Sequence, residues 1–106
     1  MDYTDRLRLL ALNDAQFAPA CAACLDAQAL DARAVALVRL TALIASGGAV
    51  PSYGELVDAA LDAGATAAEV VDVLVCAIPV VGLPRVVAEA PKLALALGYD
   101  TDEALE

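Results

Sequence analysis

Residues 51–69 read PSYGELVDAALDAGATAAE, and the punctuation of this stretch decides the fold. It contains two helix-start signatures, Ser52-x-x-Glu55 and Thr66-x-x-Glu69, with Gly64 between them. In such a capping box the hydroxyl accepts a hydrogen bond from the backbone N–H of the third residue, whose carboxylate reaches back to the cap. Leu56, Val57, Ala60 and Leu61 share one face at helical spacing. The stretch therefore predicts a helix from Ser52, a stop at Gly64, and a second helix from Thr66 to about Ile78, with Val70, Val71, Val73, Leu74 and Ile78 inward. Residues 70–81, VVDVLVCAIPVV, are rich in β-branched side chains that favour strands. The capping box and the length of the run select a helix, and a buried strand is the alternative.

The pattern is helical on both sides of this hairpin. Thr4 or Asp5 can cap a first helix over DRLRLLALN (5–13), and Asp14 a second over AQFAPACAACLDAQ (15–28), bent near Pro19. Asp31 caps a third over 32–46, where Leu37, Leu40 and Ile44 form a stripe. Ser46-Gly47-Gly48 ends it, and Pro51 prevents its resumption. Gly82 and Pro84 separate the hairpin from a last helix running from about Pro84 to Leu97, with Gly98 at the C′ position and an acidic tail after it. The expectation is a single all-α domain over 1–106, a small bundle of about six helices centred on the third to fifth.

Hydrophobic residues make up 61% of the 106 positions, above the usual share of about 45–50%. Much of the excess is Ala and Val, and aromatic residues reach only 4%. A small domain with so much apolar surface is expected to hide part of it against copies of itself. The net charge of −9, with six scattered basic residues, argues against nucleic-acid and anionic-membrane partners. The first residues lack the basic start and apolar run of a signal peptide. The longest apolar run, VLVCAIPVVGLP (73–84), has twelve residues and two prolines, whereas a bilayer span needs roughly 20. A cytoplasmic location is the resulting expectation. There is no histidine, which removes the usual general base near neutral pH and the commonest metal ligand.

The block from Leu30 to Pro91, with LDARAVALV opening a long helix, ALDAGATAAE at the turn, and an apolar helix ending in PVVGLP, resembles the carboxymuconolactone decarboxylase and alkylhydroperoxidase-D-like superfamily. The resemblance covers roughly 29–90. It implies an all-α protomer of the alkylhydroperoxidase-D-like type, assembled as a trimer, hexamer or other ring through its central helices. It also implies lactone-acid decarboxylation, thiol-dependent peroxide reduction, or no assigned activity. The peroxidase branch looks like Glu-x11-Cys-x-Tyr-Cys-x3-His. Counted back from the AGAT turn, the His position falls on Leu56, the cysteines on Ser52 and Ala49, the Tyr on Pro51 and the Glu on Leu37. None matches, and the decarboxylase branch also relies on a histidine in this helix.

The remaining candidates each carry a bland reading beside the functional one. Cys21-Ala-Ala-Cys24 is a formal CxxC, either a redox pair or two small apolar residues in an alanine-rich helix with no basic residue nearby. Cys76, in the most apolar run, reads as a buried thiol. Arg39 lies mid-helix among apolar residues. It is a solvated charge, the partner of Glu55 or Glu69, or a clamp for the carboxylate of a small acid. Arg85 sits at a helix start, where a cation is disfavoured, so it expects a partner such as Glu89 or an anionic ligand. Tyr53 and Glu55 could act as acid and base, or be a packed ring with its hydroxyl at the rim and a capping carboxylate. Asp58, Asp62 and Asp72 show no metal-ligand pattern, and no metal or cofactor is expected. Three functions follow: a homo-oligomeric binding or assembly module; a histidine-free enzyme around Arg39, Tyr53, Glu55 and Arg85 on a small anionic or lactone-like substrate; or a thiol peroxidase or disulfide reductase through Cys21 and Cys24.

Overall fold

A computed structural model of the chain describes residues 2–12, 27 and 29–99. The described residues form five helices and no strand: α1 (Tyr3–Leu12), α2 (Ala32–Ser46), α3 (Val50–Asp62), α4 (Ala67–Val81) and α5 (Leu83–Ala96). The helix expected over 15–28, with Cys21 and Cys24, lies outside the described residues. No described helix is long and apolar enough to cross a membrane.

Most helix boundaries follow from local chemistry. Asp31 caps α2, its Oδ1 accepting from the Ala34 N–H at 2.8 Å. The Thr66 box opens α4 in both directions: Glu69 N–H donates to Thr66 Oγ1 at 3.1 Å, and Thr66 N–H donates to Glu69 Oε1 at 3.0 Å. At Gly64, whose φ of 98° suits a residue without Cβ, α3 ends in a Schellman motif. Ala65 N–H reaches Ala60 O at 2.9 Å and Gly64 N–H reaches Leu61 O at 3.1 Å. The same pair of bonds closes α5, from Tyr99 to Ala94 and from Gly98 to Leu95, each at 3.0 Å.

Three boundaries depart from expectation. The cap of α1 is Asp2, which accepts from Asp5 N–H at 2.8 Å, rather than Thr4 or Asp5. The Ser52 box does not form: α3 starts at Val50 after Ala49, and no side chain caps it. Proline has no N–H to lose and a φ preset for a helix, so Pro51 sits in the first turn and draws the start upstream of Ser52. Helix α4 continues past Pro79 to Val81, because in the last turn the ring removes one bond at an exposed position.

Helices α2 to α5 pack on one another through single stripes: Ala36, Leu40 and Ile44; Tyr53, Val57 and Ala60; Val70, Val73 and Ala77; Val86, Glu89 and Leu93. The centre is thus four helices rather than the third to fifth of the sequence pattern, because α5 fills it as fully as the others. Two residues expected inward, Val71 and Leu61, are 44% and 40% exposed. Cys76 is exposed, not buried. Residues 73–81 carry no polar residue to mark the outward side of the helix, so the sequence could not tell one face from the other.

Losing the working cap in Thr66→Ala should cost about 1 kcal/mol in urea unfolding. Ser52→Ala should be near neutral, because Ser52 caps nothing.

Candidate functional site

The α5 stripe places a carboxylate where a leucine would be ordinary. Glu89 lies one turn after Val86 and one turn before Leu93 and is 3% exposed. Its Oε1 accepts from the Gly48 N–H at 2.8 Å and from the Tyr53 hydroxyl at 3.0 Å. Its Oε2 accepts from Lys92 Nζ at 2.8 Å, and Lys92 also donates to Gly48 O at 2.8 Å. The Glu89–Lys92 pair, three residues apart on α5, therefore satisfies both backbone polar groups of Gly48 in the α2–α3 turn.

The turn is shaped to allow this approach. Gly47 adopts φ 81°, and a Cβ there would lie 2.9 Å from Arg85 Nη1 and 3.6 Å from Glu89 Oε1. At Gly48 a Cβ would come within 2.4 Å of the Leu43 side chain. Two glycines are needed for different reasons, one for backbone conformation and one for space. Arg85 itself is exposed and lays its guanidinium along Gly47. The ion-pair partner of Glu89 is Lys92 and not Arg85.

The electrostatics make this cluster an anchor rather than an acid–base pair. The hydrogen bond from Lys92, aided by Gly48 and Tyr53, holds the Glu89 carboxyl below the usual carboxylate range against the opposing effect of burial. Burial, then the hydrogen bond and negative charge of Glu89, push the Tyr53 phenol well above its ordinary value, with Arg85 pulling the other way. A carboxylate already served by three donors and a phenol that keeps its proton offer little to a substrate at neutral pH.

The structure does not bring the other predicted site residues together. Tyr53 is fully buried, not a ring with its hydroxyl at the rim. Glu55, two residues on, is exposed, because a helix turns about 200° over two residues. Arg39 pairs with neither Glu55 nor Glu69; Glu69 is taken by Arg33, one turn and a half earlier on α2. The Thr66 backbone bond and the Arg33 charge together hold Glu69 below the usual carboxylate range. Arg39 instead lines a groove between α2 and α3, beside Leu56. A second groove, between α2 and α4, is lined by Val38, Ala42, Ala45, Cys76, Val80 and neighbours, without a charged group among the described residues. No group of three or more His, Cys, Asp or Glu suited to a metal occurs among the described residues.

Glu89 had entered the sequence reading only as a partner for Arg85. The signal for its own role was the spacing of Val86, Glu89 and Leu93 on one helical stripe with Lys92 three residues after the acid. No protein-family model, curated protein or solved structure matches this chain.

Tyr53→Phe removes a hydrogen bond to a charged acceptor and should cost about 2 kcal/mol in chemical unfolding. Folding depresses the Glu89 pKa, so its contribution is complete above the unfolded glutamate value of about 4.3 and is lost as pH falls through the lower folded value. Glu89→Gln should flatten that acid limb in unfolding curves recorded across pH. The raised Tyr53 value predicts stability lost as pH rises above the unfolded phenol value of about 10, a limb that Tyr53→Phe should reduce.

Proposed function

We propose that this chain is a carboxymuconolactone decarboxylase-like, homo-oligomeric binding or assembly module that does not use the superfamily's thiol and histidine chemistry. The observation that carries the reading is the face shared by α2 and α4. Val38 is 55% and Val80 85% exposed on this side of the bundle, and Cys76 is exposed among them. Small residues, Ala42, Ala45 and Ala77, leave a groove there of about 360 Å³.

The occupant this face suits is a second copy. One surface presents both a hollow floored by alanines and, at its rim, the protruding Val80; knob and hole on the same patch are what a two-fold, self-complementary contact requires. Among the described residues the groove lining is uncharged, in a chain of net charge −9. Two acidic copies can approach without desolvating or opposing like charges only through such a patch. Joined through a further contact, three such pairs would make a hexamer, one of the assemblies that the family resemblance implies.

The catalytic alternatives have less support. The chain has no histidine, the Tyr53 hydroxyl is committed to Glu89, and Glu55 is exposed and apart from it.

Light scattering on a size-exclusion column tests the assembly. The expected mass is at least twice the 10.8 kDa of the chain. Val80→Asp, which buries an unpaired carboxylate in the contact, should weaken association about 100-fold or more with an unchanged helical circular dichroism spectrum. A wild-type mass of 10.8 kDa at tens of micromolar protein would refute the reading.

A further inference from the structure

Between α2 and α3 runs a groove of about 490 Å³, lined by Leu30, Val35, Leu56, Ala59, Ala63 and their apolar neighbours, with Arg39 as the one charged lining residue among the described residues. That volume lies in the range of about 300–1,000 Å³ found for small-molecule sites. Among the described residues the composition is also of that kind, an apolar wall with a single charged group.

Among the described residues Arg39, like Arg85, has no ion-pair partner, and it is Arg39 that lines this groove. Arg33 is held by Glu69 and Lys92 by Glu89, yet Arg39 makes no ion pair or side-chain hydrogen bond among the described residues, in a chain with fifteen acids. Its helical neighbours three and four residues away, Val35, Ala36, Ala42 and Leu43, are all uncharged. The guanidinium offers a planar fork matched to one carboxylate, and an apolar wall beside it strengthens that contact relative to open water.

We propose that this groove binds a small monocarboxylate with an apolar body. Arg39 receives the carboxylate, and the hydrocarbon lies along Val35, Leu56 and Ala59. A single charge is favoured over a phosphate or dicarboxylate because one guanidinium faces the ligand while the chain's net charge of −9 repels each further negative charge. Among the described lining residues only Arg39 is titratable, and the proposal is one of binding. It stands apart from the assembly face, which uses Val38, Thr41, Ala42 and Ala45 of α2 rather than Val35, Ala36 and Arg39.

Isothermal titration with octanoate tests the site, with acetate and octanamide as probes of charge alone and of chain alone. Saturable octanoate binding with Kd on the order of 0.1–1 mM is expected, with both probes at least about tenfold weaker. Arg39→Gln should weaken octanoate by about tenfold or more, and Ala59→Leu, which fills the groove from an exposed position, should abolish binding. Both variants should keep the wild-type circular dichroism spectrum. Octanoate that fails to saturate, octanamide that binds as tightly, or Arg39→Gln that binds octanoate like wild type would each overturn the proposal.

Discussion

The bundle depends on one buried carboxylate. Placing Glu89 at 3% exposure costs several kcal/mol unless the charge is paired and hydrogen-bonded, and it is both: Gly48 N–H, Tyr53 hydroxyl and Lys92 ammonium converge on it. An apolar residue at 89 would avoid the desolvation cost. It would also leave the Gly48 N–H without its acceptor, the Tyr53 hydroxyl alone in the core, and Lys92 without its counter-ion. The cluster ties the last helix to the turn between α2 and α3, and so sets how those two helices lie against each other. Both grooves inherit their shape from that arrangement, since α2 forms a wall of each.

This division of labour explains why the polar interior is quiet and the surface is not. The only buried charged side chain among the described residues, Glu89, is saturated by internal donors. Among the described residues, the features that remain open to partners include an uncharged valine and alanine face on α2 and α4 and Arg39 beside an apolar groove on α2 and α3. Leu56 contributes apolar wall to that second groove.

Much of the helix layout was legible because its punctuation is local. Asp31, Thr66 with Glu69, Gly64 and Gly98 act within a few residues of themselves, and each performs as its type dictates. Ser52 misled because Pro51, adjacent to it, had a stronger claim on the first turn. The facing of α4 was not legible: with Val, Leu, Cys, Ala, Ile and Pro on every side over 73–81, burial depends on where α2 and α5 happen to pack. The Glu89 cluster was hidden for a different reason. Its partners lie 36 and 41 residues away, and only the three-dimensional return of α5 onto the α2–α3 turn brings them together. Cys21 and Cys24 lie outside the described residues, so the thiol reading gains nothing from the fold.

Amide hydrogen exchange compared at low and high protein concentration tests most directly whether the α2–α4 face is what the chain uses. The account predicts protection that rises with concentration at residues around Val38–Ala45 and Cys76–Val81, while α3 stays constant. Exchange that is independent of concentration, or new protection confined to other surfaces, would contradict it.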